Sequence, residues 1–237
     1  MSDEIDLTPP PVPPLTALND LSAAALARLS LGFYFLFWGL LVMVAALTES
    51  LTIVALRPLS IILIGTGGLA MTTGAWRLTR VTGLGSSWRN RTWSLFIVTI
   101  LVAYLSIFFV MWRRLPTNAY LLGHALAFFA GVLVTLCLLC LPVMVLARAA
   151  DRPGLALQAG AFGTAALVLL LPPFGLIVQR MIEASRNGVD PFTLLQFWVA
   201  NTSIWITMIL LVPFSLTLSL LWAAKDLVLE HLNARRD

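Results

Sequence analysis

Of 237 residues, 59% are hydrophobic and only 11% are charged, with a mean hydropathy of +0.93, whereas a soluble globular domain carries about 25% charged residues. That much apolar surface exceeds what one soluble core can bury, which excludes an ordinary soluble domain and points to a single membrane domain. The formal charge of +4 rests almost wholly on arginines at the ends of apolar runs, a placement that fits lipid headgroups and topology and argues against nucleic acid.

Residues 1–19 hold Asp3, Glu4 and Asp6, then Pro9, Pro10, Pro11, Pro13 and Pro14. Proline fixes φ and lacks an N–H, so this stretch predicts a disordered, solvated, extended tail. It lacks the basic start and apolar stretch of a cleavable signal, so the first span is expected to direct insertion. Asn19 and Asp20 are plausible caps for that span, residues 21–47. Thr48, Glu49 and Ser50 read as a tight turn before a second span, residues 51–76.

Residues 77–92 read as a polar loop in which Arg77, Arg80, Arg89 and Arg91 contact headgroups or a partner, with Trp76, Trp88 and Trp93 at the water–headgroup boundary. The third span is predicted at 93–112, the fourth at 118–146 and the fifth at 155–178. In the fifth, Pro172 and Pro173 remove two successive donors and predict a kink or break. The last apolar stretch exceeds one upright crossing, so a span at 194–222 should continue into an amphipathic cytoplasmic extension over 225–237.

The fold class is therefore all-α, a polytopic transmembrane bundle of six spans occupying residues 20–224. With the N-terminus inside, ten basic residues fall on the inner side and four, Arg113, Arg114, Arg180 and Arg186, on the outer side. The positive-inside rule then places both termini in the cytoplasm and the chain in an inner, cytoplasmic membrane.

Polar groups inside apolar runs mark candidate sites, because lipid offers them no hydrogen bonds. All eleven acidic residues fall in predicted tails or loops, which counts against a cation-coupled carrier. Arg57 lies about six residues below the outer end of the second span and either snorkels, pairs with Glu49 or binds an anionic ligand. Tyr120, His124, Gly131 and Thr135 share a helical face expected to lie against protein. His124 is either a packed, hydrogen-bonded histidine or a haem ligand, and a haem would need its second ligand from another chain or residue type. Asn201, Thr202 and Ser203 lie toward the same outer level, so Arg57, His124 and Asn201 would form one pocket if their helices are neighbours. Cys137 and Cys140 read as packed thiols, and no metal site is expected.

No motif names a cofactor. The expected partners are membrane lipids together with other membrane subunits or a second copy, and no nucleic acid. The expected role is a non-catalytic subunit or scaffold of a membrane assembly. A small-molecule transporter or channel with an outward-side polar pocket is the alternative, and a membrane-embedded redox or other enzyme subunit the third.

Overall fold

A computed structural model describes residues 18–52 and 57–234. Residues 1–17 of the expected tail, Arg235 and Arg236 lie outside the described residues. After a 3-10 turn at Leu18–Asp20, the described chain forms α1 (Ala23–Thr52), α2 (Arg57–Thr79), α3 (Gly85–Trp112), α4 (Ala119–Ala149), α5 (Pro153–Arg186), α6 (Pro191–Asn201) and α7 (Ile204–Asn233), with no strand among the described residues. The helices α1, α3, α4, α5 and α7 are long and apolar enough to cross a membrane, each exceeding the ~20 residues that span ~30 Å of hydrocarbon. The protein is a multi-pass, all-helical membrane protein.

Local chemistry explains several helix limits. Ser22, rather than Asp20, caps α1, its Oγ accepting from the Ala25 N–H at 3.2 Å; the Asn19 side chain lies outside the described residues. Asn118 Oδ1 accepts from the N–H groups of Tyr120 and Leu121 to start α4. Asp190 does the same for α6 through Phe192 and Thr193. Gly188, at φ +72°, closes α5, and the Val189 N–H then reaches back to the Ala184 carbonyl at 2.9 Å.

Three boundaries depart from the sequence expectation. The turn expected at Thr48–Ser50 is helical, because α1 runs on to Thr52. Ser50 is held by Arg113 of the α3–α4 connection, whose guanidinium donates to Ser50 Oγ at 3.1 Å. Glu49 therefore belongs to an apolar helix rather than a loop, with both carboxylate oxygens buried and no hydrogen-bond partner among the described residues. The polar loop expected at 77–92 shrinks to the few residues between α2 and α3, so Arg89 and Arg91 stand on the first turns of α3. Trp88 is buried rather than at the headgroup boundary, and its indole N–H donates to the Leu78 carbonyl at 3.3 Å. Finally, α5 continues through Pro172 and Pro173 without a break.

Helices α1 and α2 approach backbone to backbone. Gly32 faces Gly74, and Gly39 faces Gly67; a Cβ placed on Gly74 would lie 2.7 Å from the Gly32 oxygen, and one on Gly67 would lie 3.1 Å from the Gly39 oxygen. These glycines are seven residues apart on each helix and so share one face, which lets the two axes close where any side chain would separate them. The price of helical glycine, about 1 kcal/mol each relative to alanine, is offset by the dispersion contacts of that approach.

One end of the bundle gathers the α2–α3 and α4–α5 connections and the last turns of α7. There Arg91 reaches the Leu141 carbonyl of α4 at 3.4 Å, and Arg152 meets Glu230 at 3.5 Å. We term it the arginine end. Helix α4 is the most enclosed of the spans, with 56% of its most apolar window buried, against 6% for α5. The core thus centres on α4, and α5 stands at the periphery.

Candidate functional site

The longest apolar stretch of the sequence folds as two helices, not one. Helix α7 has 30 residues, about 45 Å at 1.5 Å per residue, enough to cross by itself. Helix α6, with 11 residues, is therefore left at the end opposite the arginine end, between the last turn of α5 and the first of α7. Its inward side holds Phe192, edge-on to Trp112 with ring centroids 5.3 Å apart, and Leu195, which is buried. The guanidinium of Arg113 lies 5.8 Å from the centre of the Phe192 ring. Phe197, on the outward side, is exposed.

Beneath α6 is a cavity of about 300 Å³. Leu195 and Val199 of α6 roof it. Its walls come from Val44 to Leu51 of α1, Phe129 to Leu136 of α4, Leu170 to Ile177 of α5, and Thr207 to Phe214 of α7. Apart from Thr48 and Thr207, every described lining residue is apolar. Both threonines turn their hydroxyls onto their own helices, Thr48 to the Val44 carbonyl at 2.9 Å and Thr207 to the Ser203 carbonyl at 3.4 Å. Both are also exposed.

Size decides what such a space means. A volume of about 300 Å³, open on one side, has room for part of an apolar chain entering from the bilayer. Apolar walls give water no partners, so an apolar chain is the chemically matched content.

Among the described residues, His124, Tyr120 and Asn201 do not line this cavity. His124 is half-buried on the α3 side of α4; its ring stacks on Phe108 at 4.4 Å and lies 4.3 Å from Tyr120. Its Nδ1 is 2.9 Å from the Tyr120 carbonyl, which can only accept, so Nδ1 carries the proton there. Tyr120 is 64% exposed. The face expected to pack against protein does so only at its deeper half, where Gly131 abuts Val102 and Thr135 is buried. Asn201 is exposed, and its Nδ2 donates to the Phe197 carbonyl at 2.7 Å, closing α6 locally. Arg57 is the first described residue of α2, and its side chain lies outside the described residues. Convergence of the arginine, histidine and asparagine is thus not seen among the described contacts.

At the arginine end, Arg77 lies 5.3 Å above the Phe35 ring with its Nε buried, and Arg80 lies 5.0 Å from the Trp76 ring. Arg89 is exposed. Cys140 is buried against Gly163, whose carbonyl also lies 3.9 Å from the half-buried Cys137. What sequence reasoning missed is the cavity itself. The polar triplet Asn201, Thr202 and Ser203 and the Asp190–Pro191 helix start were the signals for a separate roof helix. Compared with family models, with curated proteins and with solved structures, the chain matches none.

Proposed function

We propose that the protein is a non-catalytic subunit of an inner-membrane assembly that holds the apolar chain of a membrane-resident molecule, an acyl or isoprenoid tail, beneath α6. The cavity of about 300 Å³ with apolar walls from five helices carries this reading. In lipid, burying a tail brings no hydrophobic gain, since the bilayer is as apolar as leucine. Selection must come from shape and dispersion, and close-packed walls supply both. The described lining offers a polar solute only the two threonine hydroxyls already bonded to their own helices, so the transporter alternative draws no support from it. Both chain ends on the cytoplasmic side, six crossings including α2, and association with other membrane helices through the peripheral α5 belong to the same proposal, supported by the arginine bias.

A fluorescent polyene fatty acid titrated into the purified protein tests it. Saturable binding is expected for the natural chain. Val132→Trp and Leu211→Phe, which fill the cavity from α4 and α7, should each weaken it while helicity is retained. Probe partition that is linear in protein and indifferent to both substitutions would overturn the proposal.

A further inference from the structure

The arginine end holds a second arrangement, independent of the cavity. Arg91 of α3 is half-buried and donates from Nη1 to the Leu141 carbonyl of α4. Arg148, near the end of α4, folds back along its own helix until Nη2 is 3.6 Å from Met144 Sδ. Leu141, Met144 and Arg148 are spaced i, i+3, i+7 and so share one helix face. The two guanidiniums therefore approach that face from different helices, one at Leu141 and the other at Met144.

Nothing among the described residues neutralises them. The ion pairs described at that end are Arg152–Glu230 and Lys225–Asp226. Asp151, the acid nearest Arg148 in sequence, sits in the left-handed turn after α4, at φ 52°, and forms no ion pair. A thioether is a weak acceptor and the Leu141 carbonyl takes one N–H of Arg91, whereas each guanidinium presents five donors. Two like charges held together this way lack an anion with several acceptor oxygens.

We propose that the α3–α4 groove at the arginine end binds the phosphodiester of an anionic phospholipid between Arg91 and Arg148. Guanidinium forks match phosphate oxygens in pairs, which a single ammonium does not. The surroundings favour a lipid as the source of the phosphate. Trp93, two residues beyond Arg91, is 46% exposed, as suits a ring at headgroup depth. Farther along α3, Ile97 and Ile100 are exposed on the way to the bilayer centre, where the tails of that lipid would lie.

The test is retention of lipid by the full-length protein in native mass spectrometry from a mild detergent. Phosphatidylglycerol, phosphatidylcholine with the same tails, and inorganic phosphate are titrated separately. Phosphatidylglycerol should be retained over phosphatidylcholine, and Arg91→Gln or Arg148→Gln should each reduce that retention about five- to tenfold. The double variant should lose little more than either single one, because a bridging anion needs both. Arg91→Lys, which keeps the charge but not the fork, should retain an intermediate amount, and Arg186→Gln, at the opposite end of the bundle, should match the natural chain. Equal retention of both lipids, an undiminished double variant, or displacement by inorganic phosphate at equimolar concentration would each overturn the assignment.

Discussion

Replacing Gly74 by alanine tests the backbone contact between α1 and α2. The new Cβ would lie 2.7 Å from the Gly32 oxygen and 2.9 Å from the Leu36 nitrogen. Both are main-chain atoms in a helix, so neither can rotate away as a side-chain tip could. Relief requires the two helices to part, loosening the Gly39–Gly67 approach along the same face. Overpacking of this kind costs about 1–3 kcal/mol, and removal of a helical glycine returns about 1 kcal/mol. The expected net loss is up to ~2 kcal/mol, and at about 2–4 °C per kcal/mol for a chain of this size the midpoint should fall by several degrees. Gly65→Ala is the internal comparison, because a Cβ there meets nothing within 4 Å; it should raise the midpoint slightly. Thermal unfolding in detergent followed by tryptophan fluorescence measures both. If Gly74→Ala unfolds no earlier than Gly65→Ala, the helices are not in backbone contact and the reasoning fails.

Asp190→Ala removes the acceptor for the Phe192 and Thr193 N–H groups, a loss of about 0.5–2 kcal/mol confined to the start of α6. Limited proteolysis between residues 187 and 203 should accelerate, and unchanged cleavage would mean that the cap does not hold the roof. Arg152→Ala breaks an ion pair whose side chains are 60% and 65% exposed; such a pair contributes about 0–1 kcal/mol, so the unfolding midpoint should barely move. A fall larger than that of Gly74→Ala would show that Arg152 clamps α5 to α7. In a background with Cys137 and Cys140 changed to alanine, Asn187→Cys should react with an impermeant maleimide on intact cells and Ser87→Cys only in inverted vesicles. The reverse pattern would contradict the proposed orientation.

The apolar runs were legible because a long run of aliphatic residues has one low-energy state in lipid, and the ends of α3 and α4 lie close to where the arginines and Asn118 stand. Where tertiary contacts decide, the local pattern misleads. Thr48, Glu49 and Ser50 have turn composition, yet Ser50 stays helical with a partner 63 residues away in Arg113. Trp88 has the amphipathic character of a boundary residue, but its indole N–H finds the Leu78 carbonyl inside the bundle. The split between α6 and α7 is hidden because no proline or glycine marks it, and Asn201 reads equally well as a residue bonding between helices. Depth along a span could be counted for His124 and Asn201; which way each helix is rotated could not, and rotation turns His124 toward Phe108 rather than toward the cavity. Arg148 served only to orient the chain, because its convergence with Arg91 depends on α3 and α4 being neighbours.

Photolabelling with a diazirine-bearing fatty acid, followed by peptide mapping, tests most directly whether the cavity holds an apolar chain. The account predicts adducts concentrated on residues 129–136 of α4 and 207–214 of α7, suppressed by an excess of unlabelled fatty acid. Adducts spread over lipid-facing positions such as Leu101 and Ile107 of α3, with no such competition, would contradict it.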